Sequence, residues 1–177
     1  MLDTLELIRN VLLVVVLLIS AVTDLRDFKV YNVVVVPAAI ASLVLASVGG
    51  IGGSLEAVLG LVVGGALLWP FYRKGGIGGG DVKLLAFVGA TQGVEFVLNT
   101  ALLAALVGGL WALYVLVRAR QLLSGVRVAW ALFRRTVGFA RRQAPVRTLE
   151  VPAVPYAVCI ALGGVAASVA QSALWQG

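Results

Sequence analysis

Apolar residues fill six stretches of the chain, separated by four short connections and one long, Arg-rich one. A helix needs about 20 mostly apolar residues to cross a bilayer. The pattern predicts spans over 5–23, 33–50, 55–72, 81–92, 96–117 and 152–175. The first carries Arg9 and Asn10 near its outer end, and Asn32 stands before the second as a candidate N-cap. The fourth, from Asp81 to about Gln92, is short and weakly bounded. Trp111 and Tyr114 sit towards one interface in the fifth. Pro152 falls in the first turn of the sixth, where proline is tolerated. The expected fold is an all-α integral membrane protein with six transmembrane helices, a single membrane domain over 1–177.

Composition agrees. Of the 177 residues, 61% are apolar or aromatic and 12% are charged. Soluble domains carry about a quarter charged residues, and the mean hydropathy here is +1.05. A chain this short cannot hide so much apolar surface from water. It has no His, which excludes a Ser-His-Asp triad, a Ser-His dyad and a His-ligated zinc centre. Cys159 is the single cysteine, so an intrachain disulfide and a Cys-cluster metal site are excluded. It lies in an apolar run and reads as a small packing residue. No metal or other cofactor is expected.

Charge changes the picture in one respect. The net charge is +6, which could suggest nucleic acid, but residues 118–150 hold eight Arg and one Glu. Between apolar spans such a segment reads first as a cytoplasmic loop, so no nucleic-acid partner is expected. Basic residues recur in the first, third and fifth connections: Arg26 and Lys29, then Arg73, Lys74 and Lys83, then the Arg-rich loop. The second and fourth connections and the stretch after Arg147 have none. This alternation predicts six spans in the cytoplasmic membrane with both termini outside. It also supports the short fourth span, because removing it would put basic loops on opposite sides. The first apolar run lacks a basic leader and ends in Thr-Asp, so a cleaved signal peptide is not expected.

The Arg-rich loop has its own pattern. At 100° per residue, Leu122, Val126, Trp130, Phe133, Val137 and Ala140 fall within an arc of about 80°. Arg120, Arg127, Arg134, Arg135, Arg141 and Arg142 fall on another face. One reading is an amphipathic interfacial helix between the fifth and sixth spans, its Arg near anionic lipid headgroups. The other is a topology-setting loop with some helicity, since Gly125 and Gly138 weaken a helix. Both stay open.

Charge in or beside a span needs a reason. Asp24 closes the first span, and Asp81 opens the fourth after Gly75-Gly76-Ile77-Gly78-Gly79-Gly80. The expected topology sets both at the cytoplasmic ends of their helices. Two carboxyls in close contact do not both ionise easily. The ionised one can take a proton from water while the protonated one hydrogen-bonds a scissile carbonyl. The glycines lack Cβ atoms, so an extended backbone could approach Asp81 closely. Composition alone, however, favours a plain turn in which Asp81 caps the fourth helix. Asp24 likewise has a plain reading, as an interfacial charge paired with Arg26 or Lys29. Asp27 is its rival for the first position, one turn further into water.

Gly78-Gly79-Gly80-Asp81-Val82-Lys83-Leu84-Leu85-Ala86 resembles the GxGD signature of prepilin peptidases, also called type IV leader peptidases. Asp24 through Asn32 resembles their other motif, an Asp followed by a polar, partly basic stretch ending in Pro-Asn. Val154-Pro155-Tyr156 resembles their Pro-Tyr element. The three matches occur in family order. The resemblance implies an intramembrane aspartyl endopeptidase with Asp24 and Asp81 as its catalytic pair and Gly78 and Gly80 beside the substrate. Its substrates would be prepilin-, archaellin- or pseudopilin-like precursors carrying a short basic leader before an apolar helix. Lys83 could meet an acidic residue after the cleavage site; its plainer role is to snorkel to the interface. Tyr31 stands where the family usually has Pro, and the N-terminal methylase region and four-Cys motif of long bacterial members are missing. The chain thus resembles the short, peptidase-only type, and no methyltransferase activity is expected. A homodimer is compatible with the pattern.

A small ion- or proton-coupled carrier would also use paired carboxylates, but it needs polar groups at mid-span, and these spans have almost none. A non-catalytic assembly factor for a surface filament would need no aspartate pair. Presenilin-type GxGD proteases carry more spans and a Tyr-Asp first motif, whereas Thr23 precedes Asp24 here.

Overall fold

The computed structural model describes residues 2–118 and 156–174. Six helices are described: α1 (Leu2–Asp27), α2 (Asn32–Val48), α3 (Gly50–Arg73), α4 (Gly79–Gln92), α5 (Val94–Arg118) and α6 (Tyr156–Leu174). Each expected span therefore has a helix, with shifted ends. The first runs a turn further than the pattern suggests, so Asp24 lies inside α1 instead of closing it. Tyr31, with extended backbone, takes the N-cap position of α2, and Asn32 is the first helical residue. The Asn32 side chain is drawn elsewhere, as described below. The Arg-rich loop, Pro152 and Pro155 lie outside the described residues.

Three helical stretches, Thr4–Asp27, Gly50–Arg73 and Val94–Val115, are long and apolar enough to cross a membrane. Leu18, Val44, Val62 and Leu102 stand exposed on the helices. An apolar surface this extensive suits lipid and not water. The chain is a membrane protein.

Two compact units divide the chain, Met1–Val107 with Pro155–Gly177, and Gly108–Val154. In the second, Trp111 and Tyr114 lie with ring centroids 6.1 Å apart. The first unit is built around α4. That helix is 14 residues long, and Val82, Leu84, Leu85, Phe87, Val88 and Ala90 are all buried. Fourteen residues rise only about 21 Å. A helix that short and apolar on nearly every side is suited to protein neighbours, and α1, α2, α3 and α6 surround it.

The tightest of these contacts joins α3 to α4. A Cβ on Gly60 would strike the Gly89 carbonyl, and one on Gly64 would strike that of Leu85. The two backbones meet through a Gly-x-x-x-Gly step, which permits close packing without a hydrophobic driving force. The connections differ between the two ends of the unit. Gly49 alone separates α2 from α3, and Gly93 alone separates α4 from α5. Gly93 has φ +87°, a left-handed turn that favours glycine. At the other end the links 28–31 and 74–78 are longer, and they hold the residues of interest.

Candidate active site

Asp24 and Asp81 reach the same place from different helices. Both are buried, at 6% and 8% exposure. They line one cavity of about 320 Å³ together with Phe28, Lys29, Val30, Tyr31, Asn32, Gly78, Gly79 and Gly80. The two carboxyl groups lie within electrostatic reach of each other.

Their surroundings differ. The Ala157 N–H donates to Asp24 Oδ2 at 2.9 Å. Ala157 belongs to the first turn of α6, whose N–H groups have no partner within the helix. A carboxylate is the natural acceptor for such groups. Asp81 sits in the first turn of α4, and the Gly78 N–H points back to it. That contact is the capping role anticipated for Asp81, taken from inside the helix instead of from the N-cap, which is Gly78. Capping occupies one side of the carboxyl only. Asp81 Oδ1 is buried and has no hydrogen-bond partner among the described residues. A buried polar atom without a partner is uncommon and asks for a role.

The three glycines before Asp81 have separate physical reasons. A Cβ on Gly78 would come 3.1 Å from Asp81 Oδ2, so its absence makes room for the carboxyl. A Cβ on Gly79 would press on the Tyr72 ring at 3.0 Å. A Cβ on Gly80 would come within 2.7 Å of Val30 Cβ. Gly80 therefore lets the 28–31 connection lie against the start of α4, which closes one wall of the cavity. Gly75, at φ +72°, turns the chain out of α3.

Phe28 ends α1 with φ +49°, a left-handed position rarely taken by an aromatic residue. Its N–H still bonds the Asp24 carbonyl at 3.0 Å. The Tyr31 hydroxyl then donates to Asp27 Oδ2 at 3.0 Å. The Asp27 carboxylate, accepting that proton, holds Tyr31 above the ordinary tyrosine range. Asp27 is exposed and engaged outside the cavity, whereas Asp24 is buried within it.

Lys83 Nζ donates to Asn32 Oδ1 at 2.9 Å on the exposed face. This explains why Asn32 does not cap α2: its side chain bridges to α4. Tyr156 and Cys159, from the start of α6, lie within electrostatic reach of Asp81. The sequence drew attention to Tyr156 through its resemblance, but nothing in the pattern brought Cys159 to this neighbourhood. Among the described residues, no group of three or more Cys, Asp or Glu could hold a metal ion.

Among curated proteins and solved structures, nothing matches the chain. The model of the type IV leader peptidase family matches residues 11–113, more than half of the chain, with both aspartates inside the match. The chain belongs to the type IV leader peptidase family.

Proposed function

We propose that the protein is an aspartyl endopeptidase that removes the basic leader from prepilin-, archaellin- or pseudopilin-like precursors. One observation carries this reading: Asp24 of α1 and Asp81 of α4, both buried, share one cavity. One carboxylate takes a proton from the attacking water while the other, protonated, donates to the scissile carbonyl. The proton then passes to the leaving amine as the carbon–nitrogen bond breaks. Ala157 fixes the Asp24 carboxylate, and Asp81 Oδ1 is left for water or substrate.

The basic residues Arg26, Lys29, Arg73, Lys74 and Lys83 flank these connections, and by the positive-inside rule this end faces the cytoplasm. In that topology six helices span the cytoplasmic membrane as a single domain, with both termini outside. The short α4 is sheltered by its neighbours. Gly78 and Gly80 line the cavity where a substrate backbone would pass. Lys83, exposed and bonded to the cavity-lining Asn32, would meet an acidic residue after the cleavage site. The Arg-rich loop would rest on anionic headgroups of the same leaflet.

Co-expression with a precursor carrying a basic leader tests the reading. Wild type yields a shortened product on a gel, and Asp24→Asn and Asp81→Asn do not. Cleavage by either variant at the wild-type rate rejects the pair.

A further inference from the structure

The end of α4 away from Asp81 is held by two side chains of α1. Arg9 Nε donates to the Thr91 carbonyl at 2.7 Å, and a second guanidinium nitrogen donates to the same oxygen. Gln92 Nε2 donates to Asn10 Oδ1 at 2.5 Å. Thr91 also shares a hydrogen bond with Ser42 of α2, at 2.9 Å between buried hydroxyls. We propose that Arg9 and Asn10 form a clamp that sets the axial register of α4 against α1, and so holds Asp81 level with Asp24.

The reasoning begins with what apolar packing cannot do. Burial of apolar surface is non-directional. The glycine contacts lock α4 to α3, but Asp24 belongs to α1. The α1–α4 pair needs its own directional element, and the guanidinium fork supplies one. The last carbonyls of a helix lack partners within it, and one left bare inside a bundle is costly. Arg9 answers that need at Thr91, and its positive charge suits the C-terminal end of α4. The contact also gives a structural reason for Arg9, one of two charged residues in the expected first span. A slip of one residue along either axis, about 1.5 Å, would break both bonds.

The effect reaches the cavity through the helix. Thr91 and Asp81 are ten residues apart, about 15 Å along a hydrogen-bonded rod. An axial shift at one end is therefore carried to the other. A misplacement of about 1 Å at a reacting group can cost about a hundredfold in rate. Arg9 and Asn10 are thus positioning residues that act through α4 without touching substrate. The inference rests on the aspartate pair proposed above.

The test uses the purified full chain and a synthetic peptide with a basic leader followed by an apolar segment. Arg9→Gln should lower kcat about tenfold or more while KM stays within about twofold. Arg9→Lys, which keeps the charge but not the fork, should recover part of the loss. Spin labels at Arg26→Cys and Lys83→Cys, in a Cys159→Ala background, measure the distance between the aspartate-bearing ends of α1 and α4. That distance should shift or broaden with Arg9→Gln. Should Arg9→Gln fail to insert, Arg9→Lys and Asn10→Ala carry the same comparison with smaller changes. A wild-type kcat in these variants overturns the clamp. So does a loss of activity that only tracks the amount of folded protein, with the label distance unchanged. Cleavage by Asp24→Asn or Asp81→Asn in the same assay would instead reject the aspartate pair, while the label distances still report on the clamp.

Discussion

The two ends of the helical unit Met1–Val107 with Pro155–Gly177 handle polar groups in opposite ways. Near Asp24 and Asp81 the connections are several residues long, Phe28 is held in a left-handed conformation, and Asp81 Oδ1 has no hydrogen-bond partner among the described residues. Near Arg9 the connections are single glycines, Arg9 and Ser42 both bond Thr91, and Gln92 beside it bonds Asn10. A cavity lies at that end too, about 700 Å³, bounded by Glu6, Arg9, Asn10, Glu56 and Gln92 above and by Leu13, Leu17 and Phe96 below. Its lining joins clamp residues and apolar side chains to Ser168 and two acids, Glu6 and Glu56, which are exposed and not buried like Asp24 and Asp81. The contrast separates two tasks. One end joins polar side chains across α1, α2 and α4; the other leaves the buried Asp81 Oδ1 without a partner among the described residues, beside a second carboxyl, the arrangement that the proposed hydrolysis would use.

The largest expected effect breaks the contrast at the open end. Asp24→Asn and Asp81→Asn each keep the side-chain shape and remove the acid. Cleavage should fall by about a thousandfold or more, within the range attributed to a general acid or base. The variants should still insert and fold. Asp27→Asn should retain substantial activity, because Asp27 is exposed and bonded to Tyr31 outside the cavity. Initial rates on a leader-bearing substrate decide the matter. A dead Asp27→Asn beside an active Asp24→Asn would reassign the first position.

A smaller effect is expected where α3 meets α4. Gly89→Ala drives a methyl group into the Gly60 carbonyl, and neither backbone can give way cheaply. Overpacking of this kind costs about 1–3 kcal/mol. The melting temperature in detergent should drop, and the cleavage rate of the folded fraction should drop less than with either aspartate variant. An unchanged melting temperature would show that the helices separate without penalty.

These contacts mark where the sequence could be read and where it could not. Asp24 and Asp81 stood out because charge is rare in apolar runs, and the same runs located all six described helices, although α3 begins at Gly50, five residues before the expected start at 55. Gly60, Gly64 and Gly89 did not stand out. In a run of Val and Leu, a glycine at a close backbone approach looks the same as one that packs against nothing. Arg9 and Asn10 were visible as polar residues near the end of a span, but periodicity gives the face of a helix and not its partner. The Ala157 amide on Asp24 was equally hidden, because a backbone N–H leaves no trace in residue identity. Asn32 looked like a cap from its neighbours in sequence, and a long-range partner, Lys83, took its side chain instead.

The smallest expected effect concerns Tyr31, the departure from the family pattern. Its backbone, φ −80° and ψ 121°, lies near what proline allows. Its carbonyl accepts from the N–H groups of Val34 and Val35, and a proline there would still accept both. What Tyr31 adds is the hydroxyl on Asp27, an exposed bond across one turn of chain. That bond and the ring's rigidity do in another way what a proline does by fixing φ: both narrow the conformations of the connection that lies against Gly80. Tyr31→Pro should therefore keep activity within about twofold of wild type, the scale of ordinary surface substitutions. Tyr31→Phe, which loses the bond and gains no stiffness, should be the weaker of the two. Measuring both variants against Gly80→Ala sharpens the comparison. Gly80→Ala pushes on Val30 directly and should slow cleavage more than either. If Tyr31→Phe proves as slow as Gly80→Ala, the hydroxyl on Asp27, and not the close approach at Gly80, is what holds this wall of the cavity in place.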